Sequence, residues 1–118
     1  MPLEVKETEL LSMNLRSAAT FLSDKLADLT QAWDASIVVF NNLNSEVVVQ
    51  PYASPTGAPG AAQLIQKPVI SYRSTQCTIP IDKIFPFVGL AIQAYSPTAP
   101  TSGNIRVTCI WRVWREER

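Results

Sequence analysis

Residues 105–114 read Ile-Arg-Val-Thr-Cys-Ile-Trp-Arg-Val-Trp. Two-residue alternation puts Ile105, Val107, Cys109, Trp111 and Val113 on one face and Arg106, Thr108, Ile110, Arg112 and Trp114 on the other. β-Branched and aromatic residues dominate the run, as they do in pleated structure. The segment therefore predicts a strand with one apolar face and one mixed face. Upstream, Ser96–Gly103 (SPTAPTSG) is a tight loop and Phe87–Tyr95 (FVGLAIQAY) a long apolar strand. Asp82–Pro86 is a turn. Pro68–Arg73 and Thr75–Ile81 are short strands, the second with Cys77, Ile79 and Ile81 on one face.

Further back, Ser36–Asn41 (SIVVFN) and Glu46–Tyr52 (EVVVQPY) flank a short Asn/Ser turn, which predicts a hairpin. Residues 53–63 hold two Pro and two Gly and form a loop. Turn signals recur roughly every ten residues, the spacing of a β-sandwich or barrel. Most prolines sit in loops or at strand ends, where a missing N–H does least harm. The first 34 residues support two readings. Leu11, Leu15, Ala18, Leu22, Leu26, Leu29 and Trp33 follow helical spacing. The same stretch also alternates through Met13, Leu15, Ala19 and Phe21, and its Ser, Thr and Asn content is poor for a helix.

The chain has 118 residues, enough for one domain with a real core. Apolar residues make up 47% and charged ones 17%, so the surface is thinly charged. A thin charge coat suits a subunit whose surface is covered by partners, and also a compact monomer with a polar, uncharged skin. The net charge is zero, which argues against a polyanion partner. Residues 1–34 are acidic on balance and residues 103–118 basic, which suits head-to-tail contact between copies or pairing within one chain. The start, MPLEVKETELL, lacks the pattern of a signal peptide, and no run has the length of a membrane span. Synthesis and retention in the cytoplasm, or release by lysis, is the expectation.

No histidine is present, so neither a Ser-His-Asp nor a Cys-His site can be built within one chain. Glu7 with Glu9, or Asp24 with Asp28, are carboxylate pairs of the kind usually found solvated. No phosphate loop exists, and no dense acidic loop supports calcium at Asp34 or Asp82. Cys77 and Cys109 match no zinc spacing; two buried thiols and a disulfide between neighbouring strands both fit them. The expectation is a non-enzyme without cofactor or metal. The aromatic-basic end, Trp111 to Arg115, has three readings: a subunit contact, a solvent-facing edge or a nucleic-acid strip.

Several motifs also carry a resemblance. Asp28-Leu29-Thr30, Asn42-Leu43-Asn44 with Val47-Val48-Val49-Gln50, Phe85-Pro86-Phe87 and Thr101-Ser102-Gly103 follow one another across about residues 20–113. In this they resemble small β-sandwich domains of tailed-phage structural proteins and related prokaryotic surface and coat proteins. The loop at Ser54-Pro55-Thr56-Gly57 departs from that pattern, which has an aspartate-glycine turn and a tryptophan there. The resemblance implies that Asn14–Ser23 is a strand, and that the chain is a virion subunit, capsid-decorating or minor. A subunit of a prokaryotic extracellular filament or a surface or spore coat is the alternative.

The expectation is thus all-β: an antiparallel, jelly-roll-like β-sandwich of about seven or eight strands over residues 13–118. Its core would hold Ile37, Val39, Val47, Val49, Ile70, Ile79, Leu90, Ile92, Val107 and Trp111. Residues 1–12 form an N-terminal arm, with Leu3 and Val5 alternating among charges, that adds to a neighbour's sheet edge or docks in its groove. Candidate subunit contacts are Leu3, Val5, Ile110, Arg112, Trp114 and Arg115. The partners expected are other copies of the chain or a capsid or surface lattice protein, with no nucleic acid and no membrane.

Overall fold

The computed structural model describes residues 3–23, 25–54, 63–81, 86–95 and 99–114. Among them are ten strands: β1 (Leu3–Met13), β2 (Phe21–Leu22), β3 (Ala27–Asp28), β4 (Ala32–Asn41), β5 (Val47–Ser54), β6 (Gln63–Leu64), β7 (Val69–Ser71), β8 (Thr75–Pro80), β9 (Phe87–Ala94) and β10 (Ile105–Trp114). One sheet runs β1-β10-β4-β8. The other is centred on β9 and β5, with β2 and β3 beside β9, and β6 and β7 beside β5. Every pairing is antiparallel. The chain crosses between sheets at six of the nine connections between these strands, as in a jelly roll, and the described residues contain no helix.

The two inner faces meet in one core. Ile37 and Val39 of β4, Val47 and Val49 of β5, Ile79 of β8, Leu90 and Ile92 of β9, and Val107 of β10 are all buried. Each alternates with a more exposed neighbour, so period two decides burial on the long strands. Two expected core residues are only half-buried. Ile70 pairs with Val48 on the outward side of its sheet, and the inward positions of β7 fall to Val69 and Ser71. Trp111 faces inward, paired with Lys6 and Ala35, at the end of the sandwich where the second sheet stops covering the first.

The expected hairpin of Ser36–Asn41 with Glu46–Tyr52 is not formed. β4 pairs with β10 and β8, and β5 pairs with β9 in the opposite sheet. Asn41 makes the connection an arch. Buried at 0% exposure, it donates from Nδ2 to the carbonyls of Ser45 and Ser71, and its Oδ1 accepts from the Leu43 N–H. Leu43, 1% exposed, plugs the core beneath the arch.

The helical spacing through residues 11–33 forms no helix. Leu11, Leu15 and Leu29 are buried, whereas Leu22 and Trp33 are 41% and 55% exposed, so the stripe serves no common face. Nor is Asn14–Ser23 a continuous strand: residues 14–20 are irregular and only Phe21–Leu22 pairs. Ser23 explains the fastening that replaces it. Its hydroxyl accepts from the Leu90 N–H and donates to the Lys25 carbonyl, which holds the segment across β9.

Residues 3–13, which include most of the expected arm, lie as strand β1 against β10 of the same chain, from Leu3↔Trp114 to Met13↔Ile105. Without it the β10 edge would present a row of bare N–H and C=O groups. Cys77 and Cys109 are free thiols on β8 and β10, which both flank β4. One intervening strand separates them by roughly 10 Å, beyond the reach of a disulfide.

Candidate functional site

The outer face of the four-stranded sheet gathers the exposed aromatics of the molecule's first and last segments. Cross-strand register builds it in rows. Val5, Arg112 and Asp34 share one row; Glu7, Ile110, Ser36 and Pro80 the next; then Glu9, Thr108, Val38 and Thr78; then Ser12, Arg106, Phe40 and Gln76. At the head of the face stand Trp33 and Trp114. Trp33 is the extra residue of a bulge: Arg112 faces Asp34 and Val113 faces Ala32, which leaves Trp33 unopposed.

The two indoles meet edge to face, ring centroids 6.3 Å apart at 67°. Arg112 lies over the Trp33 ring, its Cζ 5.1 Å from the centroid. Asp34 fixes that guanidinium in a bidentate grip: Nε donates to Oδ1 at 2.9 Å, and Nη2 donates to Oδ2. The Arg112 hydrogen bonds hold the Asp34 carboxyl below its ordinary 3.8, and Asp34 in turn raises Arg112. Both side chains are about half exposed, so solvent screens the pair and it adds little to folding. Its effect is positional: it locks a cation–π stack in place on the surface. Further along, Arg106 stacks on Phe40 at 4.8 Å. A shallow groove of about 390 Å³ runs between them and Glu7, Val38, Thr108 and Ile110.

Of the expected contacts, Val5, Ile110, Arg112 and Trp114 come together on this face, with Val5 64% and Trp114 52% exposed. Leu3 occupies the register position opposite Trp114. Arg115 lies outside the described residues. Sequence reasoning missed Trp33, Asp34 and Phe40. A tryptophan beside an aspartate at the start of a strand was the available signal, but the bulge breaks the alternation that would have aimed it outward.

The remaining chemistry is sparse. Burial pushes the Cys109 thiol up to about 12 and raises Cys77 less. Asp28 accepts from the Thr30 hydroxyl and amide, which lowers its carboxyl and closes the turn after β3. Among the described residues no group of three or more His, Cys, Asp or Glu is placed to hold a metal ion, and no helix is long and apolar enough to cross a membrane.

No family model matches the sequence, and no curated protein matches it. Solved structures do resemble it. A chain from Bacillus endospore appendages, described as a novel family of disulfide-linked pili, superposes with a TM-score of 0.51 over 97% of this chain and 93% of that one, at 13% identity. PirA gives 0.40 at 12% identity, over 93% of this chain and 83% of that one. A chain of the T13 IBDV viral particle gives 0.48 at 11% identity, over 94% of this chain but 31% of its own length. At these identities the likeness to the endospore-appendage chain is one of fold: a two-sheet β-sandwich spanning both chains almost end to end.

Proposed function

We propose that this chain is a non-catalytic structural subunit that assembles with other copies of itself through the outer face of its four-stranded sheet, in a virus particle as a capsid-decorating or minor virion protein. The observation that carries the assembly reading is the Trp33–Trp114–Arg112 cluster. Two indoles stand more than half exposed, stacked with a guanidinium that is already oriented by Asp34. Trp and Arg are the residues on which protein interfaces concentrate their binding energy. The same face carries Glu7, Glu9 and Asp34 against Arg106 and Arg112, a balance that suits another protein surface and opposes a phosphate backbone. The virion setting rests on the turn and strand motifs quoted from the sequence.

A second setting, an extracellular filament or surface coat, is favoured by one observation: the endospore-appendage chain matches over nearly the whole of both chains. Labelling native particles with an antibody to this chain separates the two, since it decorates virions in one case and appendages in the other.

The assembly reading is tested by light scattering and electron microscopy of the purified chain at high concentration. The wild type is expected to form oligomers, and Trp33→Ala with Trp114→Ala to weaken them. A hot-spot tryptophan is worth about 2 kcal/mol or more, so each loss corresponds to roughly thirtyfold in dissociation constant. Melting of the double variant should stay close to wild type because both rings are outside the core. A wild type that remains monomeric, or a double variant that assembles as well as wild type, refutes the proposal.

A further inference from the structure

We infer that the first part of β1, residues 3–9, is exchanged between copies, each copy laying this segment on the β10 edge of a neighbour in place of the neighbour's own. The inference rests on the self-assembly proposed above and names the element that links one subunit to the next.

Strand β1 has two unlike parts. Leu10 and Leu11 are 1% and 5% exposed, and Leu15 beyond the strand is fully buried, so this part is anchored in the core. From Glu4 to Glu9 no side chain is buried; Thr8 alone is half-covered. What holds the early part is the backbone ladder to β10 and the contact row of Val5 with Arg112. The register shifts between Glu9 and Leu11, a bulge at the junction of the two parts and a ready hinge. Nor does the second sheet clamp the early part from within. Glu4 and Lys6 face inward by register, opposite Val113 and Trp111, yet both are exposed along an open groove.

Removing residues 3–9 thus uncovers little apolar surface but leaves the β10 edge from Thr108 to Trp114 with unpaired backbone groups. A segment of the same sequence from a second copy restores each of those pairs in the same register. The ladder is identical whichever copy supplies it, so the choice turns on local concentration. A short tether holds a chain's own segment at about millimolar effective concentration, which favours the closed monomer in dilute solution. Subunits packed in an assembly match or exceed that concentration, and exchange then joins them without any new contact chemistry.

The test uses two single-cysteine chains in a Cys77→Ser, Cys109→Ala background, one Glu7→Cys and the other Ile110→Cys, the second carrying a mass tag. Neither can bridge within itself at this pair. The chains are mixed, assembled at high concentration and bridged with a short bis-maleimide, and the products are resolved by mass. Exchange predicts a mixed dimer at least tenfold more abundant than either like-with-like dimer. It also predicts none from the out-of-register pair Glu7→Cys with Arg106→Cys. Glu9→Cys with Thr108→Cys, the next pair on the same face, must give the same result and covers any folding defect of the first. Assembled protein with no mixed dimer overturns the exchange and leaves the proposed function standing. A monomer by light scattering overturns both.

Discussion

Replacing Gly103 with alanine should unlatch the arch that sends the chain from one sheet to the other. Gly103 holds φ at +88°, a conformation that side-chain-bearing residues seldom adopt. A Cβ there would sit 1.9 Å from the Asn42 carbonyl oxygen and 2.9 Å from the Leu43 Cα, both backbone atoms with no rotamer to escape into. The turn must therefore move away from residues 42–44. Two backbone bonds span that gap: Asn42 N–H to Asn104 C=O at 2.9 Å and Asn44 N–H to Ser102 C=O at 3.2 Å. The Asn44 side chain adds more, accepting from the Thr101 and Ser102 amides and donating to the Thr101 hydroxyl. Positive φ costs alanine about 1–3 kcal/mol. Two lost bonds add about 1 kcal/mol each. The sum is about 3–5 kcal/mol, which for a domain of this size lowers Tm by roughly 10–20 °C. Urea and thermal unfolding followed by circular dichroism measure it. Gly103→Asn separates the causes, because asparagine tolerates the left-handed region but still carries a Cβ. It should be nearly as damaging as alanine. An asparagine variant of wild-type stability would refute the close approach, and an alanine variant within about 1 kcal/mol of wild type would refute the latch altogether.

The other tests bear on the thiols and the ion pair. Native protein at pH 8 should label with maleimide at Cys77 far faster than at Cys109, since burial holds Cys109 protonated up to about 12; equal rates without denaturant would mean that the β10 inner face is open. Asp34 has a lowered folded pKa, so its contribution is complete above the unfolded value and is lost as pH falls through the folded one, below 3.8. Assembly through the tryptophan face should accordingly weaken in that acid window, and Asp34→Asn should weaken it at neutral pH while removing its acid dependence. An Asp34→Asn chain that assembles like wild type at pH 7 would show that orienting Arg112 contributes nothing to the contact.

The sequence declared its core strands because alternation is a local signal: burial follows it along most of β10 and the first half of β5, and the consecutive buried runs 37–39, 51–54 and 88–90 lie where both sides of the strand are covered. It could not declare the arch. Ser36–Asn41 and Glu46–Tyr52 have the same local pattern whether they pair as a hairpin or part into two sheets. The arch that parts them is held by Asn41 reaching Ser71, thirty positions away, a contact no local pattern announces. The helical stripe misled for a related reason: Leu11, Leu15 and Leu29 are buried by three separate elements whose spacing happens to match a helix. On the candidate surface, Ile110, Arg112 and Trp114 were legible because β10 is regular. Trp33 was not, because it sits at a bulge, and an inserted residue inverts the facing that alternation assigns.

That bulge, beside Arg112 and Val113, and the one in β1, beside Val107 and Thr108, lie on the two strands that flank β10, and the contrast with the opposite sheet is what the proposed contact rests on. Among the described residues the strands beside β9 and β5 are only two or three residues long, which leaves that sheet's edges broken. Its outer face is partly filled by the chain itself: a Cβ on Gly89 would strike Ser23, Leu26 and Tyr52 at 2.6–2.7 Å. The four-stranded sheet has neither protection. Its edge strand β1 runs for eleven residues, and its outer face is paved with Trp33, Trp114, Val5 and Ile110. Charged Glu4, Lys6, Glu7 and Glu9 along β1 oppose indiscriminate edge pairing without covering β10's aromatics. A sheet left long-edged and aromatic on one side, beside a partner sheet broken and self-covered, is the side that the proposed assembly would use.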